Sequence, residues 1–328
     1  MATKTNRSLA EDTHLLIVVV QDGSARGYRV LNPPTDYRPL IKELAYRAVA
    51  NEPAAAGEPW RLSVQIEGAG TLDPQLHLDA FRAEGEGRPL ATMRVPVQNL
   101  SWLARAMAQE LKLTGGFTFV VTVLASDSTA VREWSNLEDN DADFAVTEDD
   151  TEMVLPSQFT TDPIGPRRSI TRVGSWLRCV LTKDVHEKFM ASGAREKEIE
   201  RAWVGATRIH LSKGGAYTVI EEITEVPAEM AGREYLRAHG RDFLALHKQM
   251  DGRLGAFLHL HPSHHKDVEL TPDPSSADSV VAWNLDASTG MLVSLPITMF
   301  GTEVAEPKIA AHGYVDGLLS EIDLEVLT

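Results

Sequence analysis

Apolar residues along the chain recur at two spacings, and each predicts its own kind of element. Residues 13–20 (THLLIVVV) form a continuous apolar run of strand length. Asp22-Gly23-Ser24 is a turn signal, and Gly27-Tyr28-Arg29-Val30 reads as a return strand. Asn32-Pro33-Pro34 breaks the chain. Leu40, Leu44, Ala45 and Val49 repeat at helical spacing, which predicts a helix over about 37–50. Residues 60–66 (WRLSVQI) alternate as a strand does, and 76–81 and 90–97 read as two more. An amphipathic helix over 100–111 and a buried strand over 117–124 complete an α+β domain spanning roughly residues 10–127.

The pattern lapses at 137–152 (LEDNDADFAVTEDDTE), an acidic block with few apolar positions, followed by Pro156, Pro163, Gly165 and Pro166. Such a block reads as a solvated linker. The expected organisation is an N-terminal α+β domain over 1–135, a linker over 136–168 and a second domain over 169–328. In that second domain, 176–181 reads as a strand. Thr182 or Asp184 can cap a helix running to about Ala191. Residues 202–211 and 216–226 form a hairpin across Lys213-Gly214-Gly215. A long helix is expected over 229–250, then a strand ending near His261, a helix after Ser275, and strands over 291–300 and 308–315. This is an α/β arrangement, a mixed sheet flanked by helices.

Composition narrows the classes. The chain has 328 residues, with 43% apolar and 24% charged positions, ordinary values for a globular protein. Its net charge of -15, from 47 acidic and 32 basic residues, argues against general binding to nucleic acid or to an anionic membrane. The single cysteine, Cys179, excludes an intrachain disulfide framework and a Cys-rich zinc site. In its setting, WLRCVL, it reads as a buried small hydrophobe. The N-terminus lacks the apolar core of a signal peptide, and no apolar run is long enough to span a membrane, so the cytoplasm is the expected compartment.

The candidate chemistry lies in 255–278 (GAFLHLHPSHHKDVELTPDPSSAD). Strand side chains alternate faces, so His259 and His261 share a face at the end of one strand, and Pro262 ends its ladder. Ser275 suits a helix N-cap, with Asp278 one turn on. Two imidazoles and a carboxylate can hold zinc with a fourth position open. A hydrolytic zinc site also needs a base. The upstream candidates are Glu198 and Glu200, in the segment EIERAWVG that leads into an apolar strand. The domain over 10–127 contains only His14 and His77 and no comparable cluster, and both read as structural or surface residues. His264 and His265 read as solvated loop residues. His210, His247 and His312 read as structural or surface groups, and Trp203 and Trp283 as core.

With its upstream Glu, His-x-His-Pro and following Ser-x-x-Asp, the second domain resembles the JAMM (MPN-plus) zinc metalloproteases. The resemblance covers about residues 175–320 and implies their cytidine-deaminase-like fold. It implies His259, His261 and Asp278 as zinc ligands and Ser275 as the residue supporting the oxyanion. The family's Glu lies seven residues before a strand-closing Gly, which here selects Glu198 against Gly205, with Glu200 as the alternative. Thirteen residues, 262–274, separate His261 from Ser275, where the family usually has seven. A surface loop absorbs such an insertion at small entropic cost. The resemblance further implies cleavage of peptide or isopeptide bonds after the C-terminus of a ubiquitin-like protein. It points to partners among that protein, its conjugates and cognate E1/E2-like proteins, in conjugation systems of which some serve antiphage defence. The N-terminal domain would then suit a recognition role. A non-catalytic MPN-like scaffold and a zinc amidohydrolase of a small-molecule amide are the alternatives.

Overall fold

The structure is a computed structural model. It describes residues 13–31, 37–67, 74–84, 87–125, 153–155, 159–195, 200–227, 230–231, 236–237, 240–261, 274, 297–302 and 309–328. The chain divides into two compact units. The first comprises Met1–Ala48, Gly57–Leu155 and Asp316–Leu318; the second comprises Val49–Ala56, Pro156–Val315 and Leu319–Thr328.

In the first unit, β1 (Thr13–Gln21) is the centre of an antiparallel sheet, with β2 (Ser24–Val30) on one side and β6 (Thr118–Ala125) on the other. Asp22 and Gly23 both take positive φ, 53° and 71°, as a two-residue hairpin of this twist requires. Leu15, Ile17 and Val19 are buried on one face of β1. A second sheet has the order β5 (Ala91–Pro96), β4 (Gln75–Arg82), β3 (Pro59–Glu67), β7 (Met153–Val154). Leu76, Leu78 and Ala80 on β4, and Ala91, Met93 and Val95 on β5, are buried with the period of two that the sequence predicts. The helices are α1 (Arg38–Asn51), which buries Leu40, Ile41, Leu44 and Ala45, and α2 (Ser101–Glu110), which buries Trp102, Leu103 and Met107.

The second unit is built on a mixed sheet that has eight strands among the described residues. Its order is β16 (Ile309–Val315), β15 (Ile297–Thr302), β14 (Leu254–His261), β10 (Arg201–Ser212), β11 (Gly215–Glu225), β9 (Leu177–Leu181), β17 (Leu318–Leu327), β8 (Arg167–Thr171). Because β16 also pairs with β17, the sheet curls back on itself. The β10–β11 hairpin follows the expected turn. A Cβ on Gly215, at φ +144°, would collide with the Trp176 carbonyl oxygen, so only glycine serves there.

Among the described residues, two helices pack this unit. On α3 (Lys183–Arg195), Phe189 meets Trp203 of β10 edge-on at 5.5 Å. On α4 (Gly240–Gln249), Leu246 joins Met250, Val226, Leu254 and Phe257 in a cluster with Ala202, Val204 and Ala206. Ala202 and Trp203 are neighbours in β10, so α3 and α4 cover opposite faces of the strand.

One element differs from expectation. In place of a helix over 229–250, the short strands β12 (Met230–Ala231) and β13 (Leu236–Arg237) pair with each other, and the helix occupies only Gly240–Gln249. Glycine in a helix interior costs about 1 kcal/mol relative to alanine. Gly240 therefore serves better as the helix start, where Asp242 in the first turn, with His247 and Lys248 in the last, matches the helix dipole. The helix expected after Ser275 lies outside the described residues, and of the strand expected over 291–300 the described part is 297–300, within β15 (Ile297–Thr302). Among the described residues no helix is long and apolar enough to cross a membrane.

Candidate metal centre

The site is assembled where β10 begins and β14 ends. These strands are antiparallel neighbours, with Arg201 opposite Leu260, Ala202 opposite His259 and Trp203 opposite Leu258. On its other side β14 runs parallel to β15, which places His259 beside Phe300 and His261 beside Thr302. His259 therefore sits on an interior strand of the sheet, and only 6% of its surface is exposed.

Its surroundings follow from strand alternation. Phe257, two residues earlier on the same face, has its ring 5.9 Å from the His259 imidazole, and Phe243 of α4 lies 6.5 Å from Phe257. Ala202, directly across the ladder, contributes only a methyl group. Glu200 precedes Ala202 by two residues and so shares its face. Its carboxylate Oε2 lies 3.4 Å from His259 Nε2, a diagonal cross-strand pair. Glu200 is 8% exposed. The intervening Arg201 belongs to the opposite face. It makes two hydrogen bonds to the Glu225 carboxylate, at 2.8 and 2.6 Å, and stacks over Trp203 at 5.3 Å.

Gly205 lets the strands close at this point. A Cβ there would stand 2.8 Å from Ile220 Cγ2 and 3.0 Å from Ala256 Cβ. The register of β10 shifts against β14 between Gly205 and Ala206, and against β11 between Ala206 and Thr207. These irregularities fix which face the start of β10 presents to His259.

Of the residues singled out in the sequence, His259 is thus described in full. His261 is placed as the last residue of β14, and its side chain lies outside the described residues. Glu198, Ser275, Asp278, His264 and His265 also lie outside them. The carboxylate that the structure brings to His259 is that of Glu200, the alternative to Glu198. Its signal in the sequence is parity: Glu200 and Ala202 share a face once Ala202 is paired with His259. Among the described residues no three His, Cys, Asp or Glu side chains converge as a metal-ligand group.

The remaining candidates have structural settings. Cys179 is fully buried in β9, and burial alone pushes its thiol far above the usual range, so it has no thiolate character at neutral pH. His210 Nδ1 lies 3.2 Å from the Asp162 carbonyl, and His312 is buried in β16. His77 lies between two carboxylates on the four-stranded sheet, 2.8 Å from Glu67 and 3.4 Å from Asp79. Its hydrogen bond holds the Glu67 carboxyl below the usual range.

No family model and no curated protein matches the chain. Among solved structures, the solution structure of protein DSY2949 from Desulfitobacterium hafniense is similar over 45% of this chain and 92% of its own, at 17% identity and a TM-score of 0.32. A likeness at that level carries no inference about fold or activity.

Proposed function

We propose that this chain is a zinc-dependent isopeptidase or peptidase that cuts after the C-terminus of a ubiquitin-like protein. The observation that supports this reading is the buried imidazole of His259 on β14 facing the buried carboxylate of Glu200, the residue just before β10, where the His-x-His-Pro motif ends β14. Imidazole nitrogen and carboxylate oxygen are donors that suit zinc, and buried charges of this kind are ordinarily paired or bound to a metal.

On this reading His259, His261 and Asp278 hold the ion. Zinc bound there would supply Lewis-acid polarisation and a water of lowered pKa. The work of the chain's own residues follows from their chemistry. Glu198 takes a proton at its carboxylate and returns it to the leaving amine. The Ser275 hydroxyl donates a hydrogen bond to the carbonyl oxygen of the scissile bond as negative charge gathers there. The JAMM-like curled sheet is the scaffold of the site, and the N-terminal α+β unit is a recognition module for the ubiquitin-like protein, its conjugates or cognate E1/E2-like proteins. The working compartment is the cytoplasm, in a ubiquitin-like conjugation system of the antiphage kind.

The test is cleavage of a linear fusion and of a lysine-linked conjugate of a ubiquitin-like protein, with and without a stringent chelator, alongside metal analysis. The expected result is about one zinc per chain and cleavage that fails in Glu198→Gln while zinc is retained. Cleavage indifferent to both chelation and Glu198→Gln would remove the reading. Hydrolysis of small amides alone would replace the substrate class.

A further inference from the structure

We propose that β6 pairs with the β6 strand of a second copy of this chain, antiparallel about a two-fold axis at Val120, so that two three-stranded sheets become one continuous sheet. The inference concerns the first unit and stands independently of the zinc reading.

The first observation is an edge without protection. Among the described residues, β6 (TFVVTVLA) has β1 on one side and no strand on the other. An edge strand presents a row of N–H and C=O groups to any strand that comes alongside, and natural proteins blunt such edges with charge, proline or a bulge. Other edge strands of this chain carry those devices. β2 contains Arg26 and Arg29 and a register shift against β1. β5 contains Arg94 and Pro96. β8 contains Arg167 and Arg168, with a register shift against β17. β6 has none of them. Its eight residues include no charge, proline or glycine, and its register with β1 is unbroken from Val20–Thr118 to Thr13–Ala125.

The second observation is that the edge matches itself. Val18 of β1 stands opposite Tyr28 on one side and Val120 on the other, so the three side chains form one row across the sheet. Both ends of the row are exposed, Tyr28 by 47% and Val120 by 54%. A two-fold axis perpendicular to the sheet keeps each face on its own side, so it must lie level with a residue of β6 and not between two. At Val120 it sets Val120 against its own counterpart, Thr118 against Thr122, and Phe119 against Val121. Thr–Thr and aromatic–β-branched pairs are favourable across strands. The row from Tyr28 through Val18 to Val120 then meets its copy end to end. No charge opposes another within these pairs, which matters in a chain of net charge -15. A foreign strand would have to bring the same uncharged alternation, whereas a second copy brings it by symmetry.

The experiment is sedimentation velocity on the full-length protein from about 1 to about 200 µM, because association of this kind follows mass action. The expected result is a shift from one-chain to two-chain mass in wild type, and one-chain mass throughout in Val120→Lys, which sets two like charges opposite each other at the axis. Mild oxidation of single-cysteine variants reads the register, since Cys179 is buried and does not compete. Val120→Cys should cross-link into a covalent dimer. Thr118→Cys should not, because four residues of strand hold it roughly 13 Å from its own copy. Wild type that stays a monomer over the whole range overturns the proposal. So does a dimer that survives Val120→Lys, or cross-linking of Thr118→Cys as readily as of Val120→Cys. Should Val120→Lys fail to fold, the two cysteine variants decide.

Discussion

Ala202 stands directly opposite His259 across the β10–β14 ladder, and it is fully buried. A side chain no larger than a methyl group therefore sits where a larger one would push against the imidazole. Ala202→Leu adds three carbons to a closed space beside Val204, Leu246 and Phe257. Overpacking of this kind costs about 1–3 kcal/mol. The expected outcome is a lower unfolding midpoint and impaired zinc uptake. Wild-type zinc uptake in a folded Ala202→Leu protein would show that the methyl is not what gives the His259 ring its room.

How much of this was legible in the sequence depends on the element. The β10–β11 hairpin was readable because two apolar runs flank Gly214-Gly215, and the collision at Gly215 explains why glycine stands there. The end of β14 was readable from His259-Leu260-His261-Pro262. β17 was not, because Glu321, Asp323 and Glu325 interrupt its apolar positions; one of them, Asp323, is 4% exposed. β8 (RRSIT) carries almost no apolar signal, and it is a sheet edge. The nearness of Glu200 to His259 depends on a register fixed by tertiary pairing and by two strand irregularities. A slip of one residue would present Arg201 instead. Spacing within a motif contains no information about that.

Ser275→Ala tests the oxyanion role proposed for that residue. A hydroxyl that hydrogen-bonds the carbonyl oxygen more strongly as charge develops contributes mainly to the transition state. The variant should lose about 10²–10³-fold in kcat, with little change in KM and full zinc content. A rise in KM at constant kcat would instead make Ser275 a substrate-binding group.

Asp323 tests what secures the segment between β8 and β9. Its carboxylate accepts hydrogen bonds from the backbone amides of Val173 at 2.5 Å and Gly174 at 2.7 Å, and it lies 3.5 Å from Arg178 Nε. Asp323→Ala strands both amides and removes the carboxylate beside the Arg178 guanidinium, at a cost of about 2–4 kcal/mol. Asp323→Asn keeps one acceptor and should cost less. Denaturant unfolding gives the ranking, and faster hydrogen exchange at Val173 and Gly174 locates the effect. Equal stability of all three proteins would deny the carboxylate this role.

Glu43 sets a pH dependence within the first unit. It accepts hydrogen bonds from Arg47 Nη2 at 2.5 Å and Arg47 Nε at 3.1 Å, and from the Asp316 amide at 2.8 Å, yet it is only 1% exposed. Burial pushes its carboxyl from 4.5 up to about 7, with Arg47 pulling it down and the Asp316 carboxylate pushing it further up. The folded form thus holds the proton more tightly than the unfolded chain does. Stability falls as pH rises between those two values, and the penalty is complete above about 7. One pKa unit corresponds to about 1.4 kcal/mol, so the shift costs the ionised protein up to about 3 kcal/mol. Glu43→Gln removes the titration while keeping an acceptor for the Asp316 amide. Relative to this variant, wild type should lose stability between about pH 5 and pH 8 in urea unfolding. Parallel pH profiles for the two proteins would mean that the Arg47 pairing outweighs the burial of Glu43.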